Sequence, residues 1–312
     1  LEIHRVIYCE EQLIRLTYLK RTAAAMKLDS SNFPIYLPEK EQTSVLRLGL
    51  QNFRENDWIF PAKDLNVFQK HKTELGVSQS EECFAQTQKS VAAQCEFYDH
   101  LLQHLLARPK LDYSRLGNQL IHKQEKLISE IGDKNLWEAS LWVPEDFCLL
   151  EKEKEGYVMT AASVCSPSNW ILQDKIGQTV DFIHDPVPEY DSLLSEKVNR
   201  FLEGLSSGRF LLRYNWSIQS GNELFWRDDL NPNSAVVDNS SPNLYWRIER
   251  QTFLRLPASK AIVFGIRVFL HSFDKLRNIA GFHQAIEQLL AQLPATQKCY
   301  KGLTTLTPKK VL

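Results

Sequence analysis

Residues 175–190, KIGQTVDFIHDPVPEY, place one histidine, His184, at the end of an apolar-periodic run and close it with Pro186 and Pro188. Ile176, Val180 and His184 are four apart with Ile183 beside them, so the ring sits on the apolar face of a short helix. A histidine there is most often a packed core residue. It could also be a catalytic base, or a helix cap, which would favour its cationic form. As a ligand it would offer a neutral nitrogen in a dry pocket, which is what haem iron takes. Spacing leaves these roles open.

A second set of polar residues lies in apolar surroundings. In YWRIERQTFLRLP a period of two sends Arg247, Glu249 and Gln251 to one face, with Ile248, Arg250 and Thr252 on the other. This is either a solvated face with an ion pair or a cavity wall where Arg holds an anion and Glu accepts from a cation. Arg213 and Asn215 in LLRYNWSI form a further same-face pair. In AIVFGIRVFL, Ala261, Val263, Gly265 and Arg267 share a face with Phe269, and a glycine inside a strand often marks close approach by a ligand or another backbone. A small-residue floor beside guanidinium groups suits a flat ligand bearing carboxylates. His100 and His104 are four apart, but no carboxylate completes an HExxH set, so they read as ordinary helix residues.

The elements that must carry these residues follow from periodicity. CFAQTQKSVAAQCEFYDHLLQHLLARP reads as a helix with Phe84, Val91, Cys95, Tyr98, Leu102 and Leu105 in register, stopped by Pro109. SRLGNQLIHKQEKLISEIG repeats that pattern through Leu116, Leu120, Leu127 and Ile131 and predicts a second helix ending at Gly132. DFCLLEKE and GYVMTAASVC predict a hairpin about a charged turn. ILQDKIGQTVDFIH and DSLLSEKVNRFLEGL return to helical spacing, the second with Leu194, Val198, Phe201 and Leu205 as its stripe. Three strands follow, the first two separated by the turn-rich loop 227–243, and a last helix spans 273–293. The layout is α+β with a mostly antiparallel sheet. No GxGxxG follows a strand, so a dinucleotide fold is not indicated.

Bulk properties narrow the class further. The 312 residues, 43% hydrophobic, suffice for a full core. A net charge of -1 gives no electrostatic reason to expect nucleic acid or an anionic membrane as partner. No stretch has the roughly 20 apolar residues of a membrane span, and the N-terminal LEIHRVIYCEEQLIRL is too broken by charge for a signal peptide. Six cysteines (Cys9, Cys83, Cys95, Cys148, Cys165, Cys299) form no CxxC and read as thiols of a reducing compartment. The expected location is cytoplasmic.

EDFCLL, SVCSPSNW, KIGQTVDFIHDPVP, RYNWSI and RIERQTFLRLPASKAIVFGIRVFL occur in that order. Together they resemble the haem-dependent oxidative N-demethylase-like family across residues 140–275, and LRLGLQNFRENDWIF resembles its N-terminal part more weakly. The resemblance implies a PAS-like sheet of about five antiparallel strands cupping one haem b, with extra helices on the N-terminal side, to which the periodicity adds the helix at the C-terminus. Residues 136–312 would form this core and 1–135 a mixed and helical region packed on it. It also implies oxidation of a small methylated amine by O2, with electrons from a reductase carrying flavin and an iron–sulfur centre. His184 becomes the expected axial ligand, and Arg247 and Glu249 the expected distal or propionate-side groups. Arg213, Asn215 and Arg267 are further candidates for the same network, and Cys165 in SVCSPSNW is the thiolate alternative for ligating the iron. The alternative is a haem-binding sensor or carrier without turnover.

Overall fold

The computed structural model describes residues 5–7, 16–18, 35–37, 48–227, 244–304 and 306. Three short strands, β1 (Arg5–Ile7), β2 (Leu16–Tyr18) and β3 (Ile35–Leu37), form one antiparallel sheet with β1 central. β4 (Gln51–Phe53), α1 (Leu65–Ser78), α2 (Ser80–Cys83), β5 (Phe84–Gln86) and α3 (Val91–Leu106) follow. The expected helix of the α3 region exists, but Phe84 precedes it in a strand and Val91 is exposed. The buried stripe is Ala93, Phe97, Tyr98, Leu101, Leu102 and Leu105.

The second expected helix is absent. Its residues form β6 (Tyr113–Leu116), β7 (Gln119–His122) and β8 (Leu127–Glu130), a three-stranded antiparallel sheet. Gly117, at φ +62°, and Asn118 form a two-residue hairpin loop. A Gly-Asn pair supplies such a turn, and the helix-like spacing of Leu116 and Leu120 is incidental to it.

α4 (Leu136–Ser140) leads into the hairpin of β9 (Asp146–Glu153) and β10 (Gly156–Ser163), as expected. Helical structure in ILQDKIGQTVDFIH is shorter than its spacing predicts. Gly177 is left-handed at φ +75°, and residues 177–178 hydrogen-bond to Met159, where β10 carries a register shift. Only α5 (Val180–His184) is α-helical, capped by the Thr179 hydroxyl accepting from Phe182 N–H at 3.2 Å. α6 (Tyr190–Leu193) and α7 (Ser195–Gly204) precede the long strands β11 (Phe210–Ser220), β12 (Leu244–Arg255) and β13 (Ile262–Ser272). The expected loop between β11 and β12 lies, from residue 228 to 243, outside the described residues. The expected helix 273–293 is divided into α8 (Phe273–Leu276) and α9 (Phe282–Gln292), with left-handed Gly281 at the break, and α10 (Ala295–Tyr300) follows it.

The main sheet is open, antiparallel and seven-stranded, in the order β4-β11-β12-β13-β9-β10-β5. Strand alternation gives its faces different partners. On the first face Cys148, Leu150, Met159, Leu211, Phe253 and Ile262 pack beneath the α5 and α7 residues Val180 and Leu202. On the second, Phe147, Leu149, Leu254 and Val263 pack on α3, while Trp216, Trp246, Ile248 and Phe269 pack on α8 and α9.

Gly265 belongs to the second face, and the small-residue floor there meets protein instead of a ligand. A Cβ at Gly265 would lie 2.7 Å from Thr252 Oγ1 and 3.2 Å from the Phe147 ring, and Ala261 and Val263 are fully buried core. Gly265→Ala is therefore expected to lower stability by about 1–3 kcal/mol through overpacking, with ligand binding unaffected. Urea unfolding midpoints measure this, and an unchanged midpoint would contradict the packing account.

Candidate functional site

His184 closes α5, and its Nδ1 lies 2.8 Å from Val180 O. A carbonyl only accepts, so Nδ1 carries the proton and Nε2 keeps its lone pair. Nε2 has no hydrogen-bond partner among the described residues. Burial lowers the imidazole pKa and outweighs the bond to Val180 O, while the Arg213 charge lowers it further. The ring is thus neutral near pH 7. In a five-residue helix the cationic pull of the C-terminus does not prevail.

Residues that sequence reasoning did not single out hold this ring in place. Tyr190 stacks on it, centroids 4.9 Å apart and planes 13° from parallel. Tyr190 Oη donates to Asp181 Oδ1 at 3.0 Å, Ser195 Oγ to the same oxygen at 2.9 Å, and Asn199 Nδ2 to Asp181 Oδ2 at 2.8 Å. One carboxylate on α5 therefore ties α6 and α7 to the histidine. The only signal in the sequence is proximity: Tyr190 is six residues past His184 in HDPVPEY.

The strand residues form a connected network on the first face. Glu249 stands opposite Asn215, Gln251 opposite Arg213 and Arg247 opposite Ser217. Glu249 accepts from Arg247 Nε at 3.4 Å through Oε1, and from Asn215 Nδ2 at 3.2 Å and Gln251 Nε2 at 3.0 Å through Oε2. Arg247 is fully buried and also donates to Gln219 Oε1 at 3.1 Å, Ser166 O at 2.5 Å and Leu224 O at 3.4 Å. It is an anchor for Glu249 more than a free cation. Lys301, just past α10, donates to Trp216 O at 2.7 Å; burial pulls its pKa down to about 8, with Glu249 opposing that shift. No motif marks Lys301.

The structure therefore groups Arg213, Asn215, Arg247, Glu249 and Gln251, with the Arg213 charge reaching His184. It does not bring Arg267 to them. Arg267 points to the second face, bound to both oxygens of Asp64 at 2.7 and 2.8 Å, with Phe68 4.2 Å from its guanidinium. Its alternation partner Arg250 is likewise spent on the carbonyls of Asp57 and Trp58. Cys165 is a poor thiolate candidate. Its hydrogen bond with Cys83 and complete burial push the thiol pKa well up. His100 and His104 pack against Trp58, and burial lowers both pKa values, that of His104 to about 3. Among the described residues no group of three or more His, Cys, Asp or Glu side chains converges as a metal ion would need. A groove of about 420 Å³ between α7 and the β4 edge, lined by Lys197, Phe201, Arg209 and Leu211 among others, holds none of the candidate residues.

Fold and site together define a class. This is an α+β protein presenting a neutral imidazole with a free ring nitrogen, buried guanidinium groups and a carboxylate on one face of an open antiparallel sheet, a donor set suited to haem. Residues 49–311 match the family described as haem-dependent oxidative N-demethylase, alpha subunit-like, and the chain belongs to that family. Haem dependence and oxidative demethylation come with the family's name. Among the described residues no helix is long and apolar enough to cross a membrane.

Proposed function

We propose that this chain is a haem-dependent monooxygenase that removes a methyl group from a small methylated amine. Residues 136–312 act as a PAS-like core holding haem b, and 1–135 packs on it and supplies β4 and β5, the two edge strands of its sheet. The observation that carries the reading is the state of His184: a half-buried, neutral ring with Nδ1 engaged and Nε2 free. Those are the properties of an axial ligand oriented by its other nitrogen. The half-buried guanidinium at Arg213, its Nε enclosed and without a hydrogen-bond partner among the described residues, also fits an anionic group, either a haem propionate or a carboxylate of the substrate.

When bound, haem supplies the activation of oxygen. The chain's own residues do the rest. Arg247, Asn215 and Gln251 hold Glu249 in one orientation, and Glu249 receives the ammonium of the substrate through its remaining lone-pair capacity. Tyr190 and Asp181 fix the plane of His184. The reaction consumes the amine, O2, two electrons and two protons and yields the hydroxymethylamine and water; the hydroxymethylamine then releases formaldehyde and the amine. A reductase carrying flavin and an iron–sulfur centre is the proposed electron source, in a cytoplasmic setting.

The purified chain reconstituted with haem is expected to show a Soret band and, given a reductant, O2 and methylated amines, to release formaldehyde. Absence of the band ends the reading. A strong band without turnover of any amine would assign a sensor or carrier instead.

A further inference from the structure

Among the described residues, the buried and half-buried cations Lys72, Arg247, Arg250, Arg267 and Lys301 of the main sheet and its flanks are satisfied from within, and Arg213 is not. Arg247 has Glu249 and three carbonyl oxygens, Arg250 has two carbonyls, and Arg267 has Asp64. Lys72 has Asp146 at 3.4 Å and three carbonyls, and Lys301 has Trp216 O. Arg213 has no hydrogen bond or ion pair among the described residues, and its Nε is fully buried. A half-buried guanidinium with its Nε enclosed and no anion bonded to it gains from one, which makes this position fit to receive an anionic group.

An acid that could have neutralised it stands close by. Glu249 is on the neighbouring strand and the same face, one diagonal step from Arg213. Its oxygens are drawn instead toward Arg247, Asn215 and Gln251. A cation and an anion thus face the same space without meeting, and the Arg213 charge reaches the His184 ring beside them. The matching ligand is a small zwitterion, its negative end on Arg213 and its positive end on Glu249.

We infer that the substrate is an N-methylated amino acid, its carboxylate held by Arg213 and its methylated ammonium by Glu249. The inference rests on the demethylase reading and narrows its substrate class. For such a substrate, O2 with two electrons from the reductase and two protons converts N–CH3 to N–CH2OH and water. Cleavage of the C–N bond then returns the proton of the hydroxyl to nitrogen, giving formaldehyde and the free amino acid. Throughout, the carboxylate stays bound to Arg213 and takes no part in the bond changes.

The test compares N-methylglycine with N-methylethylamine, which has the same reacting methyl group and no carboxylate. Dissociation constants are measured by calorimetry on the protein with and without haem, and formaldehyde release is measured on the haem-loaded protein. The unmodified chain should bind N-methylglycine more tightly than N-methylethylamine. Arg213→Gln should weaken N-methylglycine by about 10- to 100-fold more than N-methylethylamine, the loss expected for one charged hydrogen-bonded pair, with haem occupancy kept. Arg213→Lys should recover part of that loss. If Arg213→Gln instead weakens haem and treats both amines alike, the carboxylate is a haem propionate and the substrate inference is overturned. Turnover of N-methylethylamine without binding of N-methylglycine also overturns it while leaving the demethylase reading intact. Failure to bind haem or release formaldehyde from either amine removes the demethylase reading; failure of N-methylglycine to bind the haem-free chain as well removes the zwitterion site.

Discussion

Replacing His184 with alanine is expected to reduce haem affinity by more than about 100-fold while the chain stays folded. Even partners that merely orient a metal-bound histidine are worth 10–100-fold, so loss of the ligand itself should exceed that. Stability should change little, because the ring is only half-buried and, among the described residues, is held by one hydrogen bond to Val180 O and the stack on Tyr190. Absorption spectra during haem titration, with urea unfolding in parallel, separate the two effects. Free imidazole added to the alanine variant should restore part of the spectrum by reaching iron from solution. A spectrum unchanged by the substitution would show that another group ligates the iron.

Lys72→Met is expected to destabilise the fold by about 3–5 kcal/mol, the cost of leaving one partner of a buried ion pair alone. Lys72 is 0% exposed, inside the packing between α1 and the approach to β9. Its Nζ donates to Ser140 O at 3.0 Å, Val143 O at 3.3 Å and Glu145 O at 2.6 Å, and lies 3.4 Å from Asp146 Oδ1. Methionine nearly matches the shape, so the loss reads the ammonium and not the volume. Asp146 would then keep a single strong donor, the Ser166 N–H at 2.7 Å. Adding Asp146→Asn should recover part of the loss, since an amide needs no counter-charge. A single variant as stable as the parent in urea would place the ammonium outside the energetics of the core.

This lysine shows where sequence patterning stops. In VFQKHKTEL, Lys70 and Lys72 look alike, yet Lys70 lies on the surface near Glu74 and Lys72 is wholly enclosed. Helical position alone does not tell a solvated lysine from a buried one; the loop 140–146 brings the carbonyls that make burial tolerable. The α3 stripe failed differently. The helix is present, but the expected members Phe84 and Val91 are not in its core, because the chain before Val91 is diverted into β5 to pair with β10.

Local chemistry alone determined several features. The β9–β10 hairpin, the three long strands and the alternation that puts Arg247, Glu249 and Gln251 on one face follow from a period of two, which no tertiary contact alters without shifting register. His184 at the end of a short helix before two prolines follows from proline's fixed φ and missing N–H. Tertiary structure decided what those residues meet. It divided Arg213 from Arg267, alike in sequence as strand arginines: one faces the site without an anion, the other is spent on Asp64 across the opposite face. It turned Gly265 from a possible ligand floor into packing space for Thr252 and Phe147. Above all it freed Nε2 of His184 by giving Nδ1 the carbonyl of Val180. Which ring nitrogen is engaged, and which cation finds an anion, depends on contacts between segments far apart in the chain, and spacing along one segment carries no record of them.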